Sequence, residues 1–201
     1  MPTHKDLAVF ERFLPAPSVT YCYNLWLQYK FHFKVTRPRQ SKLGDYCFHP
    51  EKGHQITVNG NLNTYAFLVT YIHEVAHLKV YHHYKRRKDP HGAEWKRFFK
   101  ETFTPLLNEN IFPVSILKPL VSYLENPLAS TQKYKPLSLA LNAFDAPNNE
   151  VMVSTLEEGT VFEIRNKVFV KGELRRTRYL CKEVKTGKQY LVPNVAMVIK
   201  H

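Results

Sequence analysis

Long apolar runs and cysteine are both scarce in this sequence. No stretch of the 201 residues approaches the roughly 18 consecutive apolar residues that a membrane-spanning helix needs. The three cysteines, Cys22, Cys47 and Cys181, are scattered and odd in number, which argues against a disulfide framework and excludes a CxxC metal site. The first residues lack a signal-peptide pattern. We therefore expect a cytoplasmic protein, nucleoid association being open, with no membrane partner.

Acidic residues are also few relative to basic ones. The chain has 29 Lys and Arg against 17 Asp and Glu, which gives a formal net charge of +12. The excess lies at the two ends, with 16 basic against 9 acidic residues over 1–110 and 10 against 5 over 151–201. Such a charge favours acidic partners, and nucleic acid is the first candidate.

Hydrophobic spacing predicts an α+β fold for the first part of the chain. Helical spacing predicts two short helices over residues 6–14 and 18–29, a long helix from about 63 to 84, a helix that starts at Asp89-Pro90, and one over 114–124. Period-two patterns predict strands over 31–36, 44–48 and 55–58, the last two as a hairpin. We expect these helices to pack on a small antiparallel sheet.

The second half of the chain has a different pattern. Residues 126–150 contain three prolines with Asn and Ser, which predicts a linker or wrapping segment. Short β runs separated by glycine turns predict a small all-β module of four or five strands over 151–201. The expected domains are therefore 1–125, the segment 126–150, and 151–201.

The long predicted helix carries the sequence His73-Glu-Val-Ala-His77. Residues four apart lie on one face of a helix, so the two imidazoles can bind one metal ion while Glu74 accepts a proton from water. Catalytic zinc usually has three protein ligands. His83 has the metzincin spacing, but that arrangement needs a glycine that ends the helix, and this chain has Val80 there.

We expect the third ligand in the next predicted helix. His91 lies in its predicted first turn, on the face that also carries Trp95 and Phe99, and would point towards His73 and His77. Glu94 is the alternative, because some zinc enzymes use a carboxylate as third ligand.

These motifs resemble those of the SprT-like metalloproteases, which include the Spartan type. The resemblance is carried by residues 73–77, Asp89-Pro90-His91-Gly92 and Trp95, with the upstream segments 42–46 and 56–59, and covers roughly residues 15–107. It implies a zincin-like fold for the domain 1–125, one Zn²⁺ on His73, His77 and His91, and Glu74 as the catalytic carboxylate. Many members continue with a zinc ribbon; here only Cys181 occupies such a region, so we expect no second zinc.

The resemblance also implies a zinc-dependent protease that hydrolyses peptide bonds, which in the Spartan type acts on proteins attached to DNA. We expect residues 55–58 to serve as the edge strand that pairs with an extended protein substrate. Two basic groups are candidates for binding DNA: Lys85, Arg86, Arg87 and Lys88, and, in the β module, Arg175, Arg176, Arg178 and Lys182. Two alternatives stay open, a zinc-binding nucleic-acid module without proteolysis and a zinc peptidase unrelated to DNA.

Overall fold

The computed structural model describes residues 4–39, 41–85, 88–145 and 150–201. Contacts divide the chain into two units, Met1–Ala146 and Pro147–His201. Within the described residues, no helix combines the length and the apolar composition required to span a membrane.

The described residues of the first unit form six α-helices and a three-stranded sheet, which confirms the predicted α+β class. The helices are α1 His4–Phe13, α2 Val19–Tyr29, α3 Thr64–Tyr84, α4 Ala93–Phe103, α5 Val114–Glu125 and α6 Lys135–Asn142. The strands are β1 His32–Thr36, β2 Gly44–His49 and β3 Gly53–Asn59.

The sheet is mixed, so the prediction of an antiparallel sheet was wrong for one of its two strand pairs. The strand order is β1-β3-β2, with β2 antiparallel and β1 parallel to β3. β3 takes the centre because Ile56 and Val58 are fully buried in the core. The segment 37–43 must then cross the end of β3 to reach the other edge. Asn59 holds this crossing, since its side-chain amide donates to the carbonyls of Arg39 and Lys42 at 3.1 and 2.9 Å.

The centre of the first unit is α3, which is buried on most of its sides. Asn63 caps its start, because its side-chain oxygen accepts hydrogen bonds from the N–H groups of Tyr65 and Ala66. The helix ends at Lys85, which has a left-handed backbone with φ of 54°. Between these ends, Tyr71 is fully buried and donates from its hydroxyl to the Cys22 carbonyl on α2. The helix that carries the metal motif is thus fixed at both ends and along its length.

Part of the segment 126–150 packs against this same core. α6 buries Leu137 and Leu141, and Asn63 donates a hydrogen bond to the Leu141 carbonyl at 2.9 Å. Residues 135–142 are therefore a helix of the first unit.

In the second unit, residues 150–201 form a curled antiparallel sheet of seven strands, more than the four or five predicted. They are β4 Glu150–Met152, β5 Val161–Ile164, β6 Lys167–Val170, β7 Leu174–Arg175, β8 Arg178–Glu183, β9 Gln189–Pro193 and β10 Met197–Lys200. The order is β4-β10-β5-β6-β8-β7, and β9 also pairs with β8. The missed strands are short or, like β10, lack a clear alternation. Phe162, Phe169 and Cys181 lie in the small core of this unit.

Candidate metal centre

His73 and His77 project from one face of α3, one helical turn apart, and their Nε2 atoms are 3.2 Å apart. The geometry follows from the helix, because a spacing of four residues places side chains above one another. Both rings are partly buried. One face of α3 therefore supplies two convergent nitrogen donors.

His91 reaches these two side chains from a turn and not from a helix. The prediction that a helix starts at Asp89-Pro90 was wrong, because α4 begins at Ala93 after Gly92. The Gly92 N–H donates to the Asp89 carbonyl at 3.0 Å, and His91 has φ of 62°. Proline followed by a residue of positive φ is typical of a type II turn, which reverses the chain between α3 and α4.

The turn brings the third imidazole into the centre. His91 Nε2 lies 3.0 Å from Nε2 of His73 and 3.1 Å from that of His77. An imidazole nitrogen carries either one proton or one lone pair in the ring plane. Three such nitrogen atoms that face one another cannot all be paired by hydrogen bonds. If one of them carries a proton, the lone pairs of the other two still face each other. A cation would accept all three lone pairs, and the three residues could hold a metal ion.

The electrostatic environment keeps these histidines neutral. Burial lowers the pKa of His73 well below its usual value, and the neighbouring imidazoles lower it further. Burial and then His91 lower the pKa of His77 to about 3, and burial also lowers that of His91. Neutral imidazole is the form that binds metal, because its lone pair is available.

Trp95 forms an apolar wall for the cluster. It is 1% exposed, and its ring centroid lies 4.6 Å from that of His73 and 4.7 Å from that of His91. Its indole N–H donates to the His73 carbonyl at 3.3 Å. Phe99 stacks on the far side of Trp95 at 4.8 Å. The imidazoles therefore have rigid aromatic support from α4.

Glu74 lies on α3 between the two histidines and is buried, with 6% of its surface exposed. Burial, together with the nearby Asp45 carboxylate, raises the pKa of Glu74 to about 8, although the Tyr46 N–H donates to this carboxylate and opposes the shift. A cation on the three imidazoles would also lower this pKa, because it favours the charged form. A carboxylate whose proton affinity is raised is suited to general acid–base chemistry.

A cleft of about 420 Å³ opens over Glu74 and the three histidines. Residues 41–46 form one wall and residues 129–132 form part of its lining from another segment, while α3 and the 90–91 turn complete it. The site is thus accessible to a ligand along β2.

Residues 20–112 match the model of the SprT-like family. This region is SprT-like. The match includes all three histidines and Glu74, and it agrees with the resemblance inferred from the motifs. No curated protein and no solved structure matched the chain significantly.

The alternative ligand Glu94 and the neighbouring histidines His82 and His83 lie outside the cluster of the SprT-like region. Glu94 forms an ion pair with Lys88 at 3.0 Å. The His82 ring packs edge-on against Tyr29, and the His83 ring packs against Phe98. Metal-binding geometry within the described residues is found at His73, His77 and His91.

The edge strand beside the cleft of the SprT-like region is β2, and residues 55–58 do not form an edge. The latter belong to β3, which is central, so the prediction that they pair with substrate was wrong. The Asn59 N–H donates to the Leu43 carbonyl at 2.8 Å. Hydrogen-bonded and non-hydrogen-bonded pairs alternate in an antiparallel ladder, so the main-chain groups of Gly44, Tyr46 and Phe48 point away from β3. The outer edge of β2 faces the cleft.

The basic residues predicted to bind DNA fall into separate places. Lys85 is exposed at the end of α3, Lys88 is partly buried beside Tyr84, and Arg86 and Arg87 lie outside the described residues. In the second unit, all four candidates are exposed on or beside β7 and β8: Arg175, Arg176, Arg178 and Lys182. Arg175 is paired with Glu173 at 2.7 Å.

Sequence reasoning missed the contribution of β2 to the site. Gly44, Asp45 and Tyr46 line the cleft and surround the carboxylate of Glu74. They belong to the 42–46 segment that carries part of the resemblance, but the pattern assigned them no role. Only the packing of β2 on α3 reveals it.

Proposed function

We propose that the chain is a zinc-dependent metalloprotease with a zincin-like domain, and that it hydrolyses peptide bonds in proteins bound to DNA. The observation that carries the proposal is the convergence of three neutral imidazoles beside a buried glutamate. Membership of residues 20–112 in the SprT-like family is compatible with it. A purely structural metal site would have no use for the carboxylate of Glu74.

The three histidines fit zinc in donor type and in spacing. Donors at about 2.0–2.1 Å from a tetrahedral zinc ion lie roughly 3.3 Å apart. The observed Nε2 separations of 3.0–3.2 Å are within a few tenths of an ångström of this value. When bound, zinc supplies Lewis acidity that makes water a nucleophile near neutral pH and polarises a carbonyl.

Glu74 performs the proton transfers in the proposed mechanism. Its carboxylate accepts the proton of the attacking water and then delivers that proton to the leaving amine. The Tyr46 N–H holds one face of the carboxylate, so the group is oriented before substrate arrives. Trp95 and Phe99 keep the histidine side dry, which strengthens these electrostatic interactions.

The outer edge of β2 supports a peptide substrate. An extended chain that pairs with this edge forms hydrogen bonds to the outward main-chain groups of β2 other than the Tyr46 N–H, which donates to Glu74, and lies across the cleft. Such pairing requires no particular side chain, so the substrate segment must be extended and accessible but needs no fixed sequence.

The DNA part of the proposal rests on charge. The net charge of +12 favours nucleic acid, and the second unit exposes Arg176, Arg178 and Lys182 along one region. If these residues contact phosphates, the affinity for DNA falls steeply with salt. Replacing Arg178 and Lys182 by Ala should reduce that salt dependence by about two counterions. An unchanged salt dependence would favour a peptidase unrelated to DNA.

Glu74→Gln tests the chemistry. The amide is isosteric but cannot accept the proton, so we expect one bound zinc per chain and cleavage reduced by at least 100-fold. The assay combines metal analysis with cleavage of a DNA-binding protein, in the presence and absence of DNA. Cleavage by Glu74→Gln at the wild-type rate would refute the mechanism. Zinc and DNA binding without cleavage by the wild type would identify a non-proteolytic nucleic-acid module.

A further inference from the structure

Gly44 on β2 packs directly against the buried glutamate. A Cβ atom built on Gly44 would lie 2.6 Å from Oε1 of Glu74 and 2.7 Å from Cγ2 of Thr70. Ordinary van der Waals contact for such an atom begins at about 3.4 Å. A side chain here would therefore displace the carboxylate by close to 1 Å or push β2 away from α3.

The need for glycine at this position comes from the contact and not from the backbone. The positive-φ glycines of the described chain are Gly53, Gly159 and Gly187, and Gly44 is not among them. Any L-residue can adopt the extended conformation of β2. An alanine at position 44 thus tests the space above Glu74 without adding backbone strain.

β2 also contacts the Glu74 carboxylate through the main chain of Tyr46. The Tyr46 N–H points away from β3 and donates to Glu74. β2 can bring this N–H to the carboxylate only if its backbone lies close to α3, and the missing side chain at position 44 permits that approach. Thr70, 7% exposed, closes the remaining space and is itself fixed by a hydrogen bond from its hydroxyl to the Ala66 carbonyl at 2.8 Å.

We propose that Gly44 is a positioning residue for the catalytic carboxylate: its lack of a side chain sets the place of Glu74 beneath the substrate-binding edge of β2. The inference rests on the proposed peptidase function. It adds that the strand which receives the substrate also orients the base. Substrate position and base position are therefore fixed by one backbone segment.

Gly44→Ala in the zinc-loaded full chain tests this inference. Because misplacing a reacting group by about 1 Å can cost about 100-fold in rate, we expect kcat to fall 10- to 100-fold. KM should stay within threefold and zinc should remain at one ion per chain. Thr70→Ser removes the second obstructing atom but keeps the hydroxyl, so the double variant Gly44→Ala/Thr70→Ser should recover at least threefold in kcat.

Gly60→Ala is the matched control. A Cβ on Gly60 would lie 2.8 Å from Cγ1 of Val35, a contact as short as those at Gly44 but away from the cleft. This variant should lose stability and keep kcat within twofold of the wild type. If Gly44→Ala also keeps kcat within twofold, or loses activity only in proportion to lost zinc, the inference is wrong.

A second readout needs no activity. In the zinc-free protein, Glu74→Ala removes the acceptor of the Tyr46 N–H and should move the Tyr46 amide resonance. Gly44→Ala should move it in the same direction, whereas Gly60→Ala should leave it in place. A Tyr46 resonance unaffected by Gly44→Ala overturns the inference. If the wild type cleaves nothing but the resonance still moves, the peptidase proposal fails and the contact between Gly44 and Glu74 stands. Should Gly44→Ala not fold, the double variant with Thr70→Ser takes its place in both measurements.

Discussion

Replacing Asn59 by Ala should destabilise the first unit by about 2–4 kcal/mol. Asn59 is 1% exposed at the end of β3, where the chain crosses from one edge of the sheet to the other. Its side-chain amide donates to the carbonyls of Arg39 and Lys42, and its side-chain oxygen accepts from Nε of Arg39 at 2.8 Å and from the Thr36 hydroxyl at 3.2 Å. Alanine removes all four hydrogen bonds and can replace none.

The magnitude follows from these bonds. A neutral hydrogen bond contributes about 0.5–1.5 kcal/mol net, and one to a charged group about 1.5–3 kcal/mol. Three neutral bonds and one from a guanidinium sum to more than the range above, and the expected loss is smaller than that sum because the freed groups regain some hydration. Arg39 makes the loss harder to offset, since among the described residues its Nη2 is already buried without a hydrogen-bond partner.

Urea unfolding followed by tryptophan fluorescence measures the free energy of unfolding of the first unit. Both tryptophans of the chain, Trp26 and Trp95, lie in the first unit, so the signal does not report the β module. Asn61→Ala is the control, because Asn61 is exposed in the turn two residues later and should cost less than about 0.5 kcal/mol. A loss below about 1 kcal/mol in Asn59→Ala would refute the view that Asn59 holds the crossing.

Two further predictions concern the metal. His91→Ala should reduce bound zinc from one ion per chain to less than a tenth, measured by metal analysis after dialysis. His83→Ala is the control, because His83 lies on the exposed end of α3 and its replacement should leave the bound zinc unchanged. Equal losses of zinc in the two variants would contradict the assignment of His91. The free energy of unfolding of the first unit should be about 2.7 kcal/mol lower in the presence of a chelator than in free zinc at 100 times its Kd. The same measurement on His91→Ala should show no effect of the chelator, because that variant has lost the site. An equal effect in His91→Ala would mean that zinc stabilises the fold at another place.

The sequence predicts the helix of the metal motif well, because several local signals agree there. An apolar run and the basic residues that follow it both favour one helix, and α3 begins and ends within a residue of the prediction. The histidine spacing then follows from helical geometry. The candidate cluster, apart from the way His91 reaches it, could therefore be predicted.

The wrong predictions concern segments whose local sequence pattern is compatible with more than one structure. Asp-Pro is typical both of a helix start and of a turn, and Gly92 hydrogen-bonded to Asp89 identifies the turn only once the structure is known. The order of strands is not encoded in alternation: Thr57 of the central strand β3 is polar, and it is covered by Arg39 from the crossing segment. Contacts between distant segments decide both cases.

The site brings together three features that are locally unfavourable. His91 has a positive φ, which costs a non-glycine residue about 1–3 kcal/mol; Glu74 is a buried carboxylate; and Gly44 gives up a packing side chain in a strand. Stability alone would favour an apolar residue at 74. The three features come from three different elements and meet in one cleft. Such convergence is expected of a site that is maintained for its chemistry, because unrelated structural defects would not all occur around the same atoms. The convergence of these three features supports the catalytic role proposed for the cleft, independently of the family match.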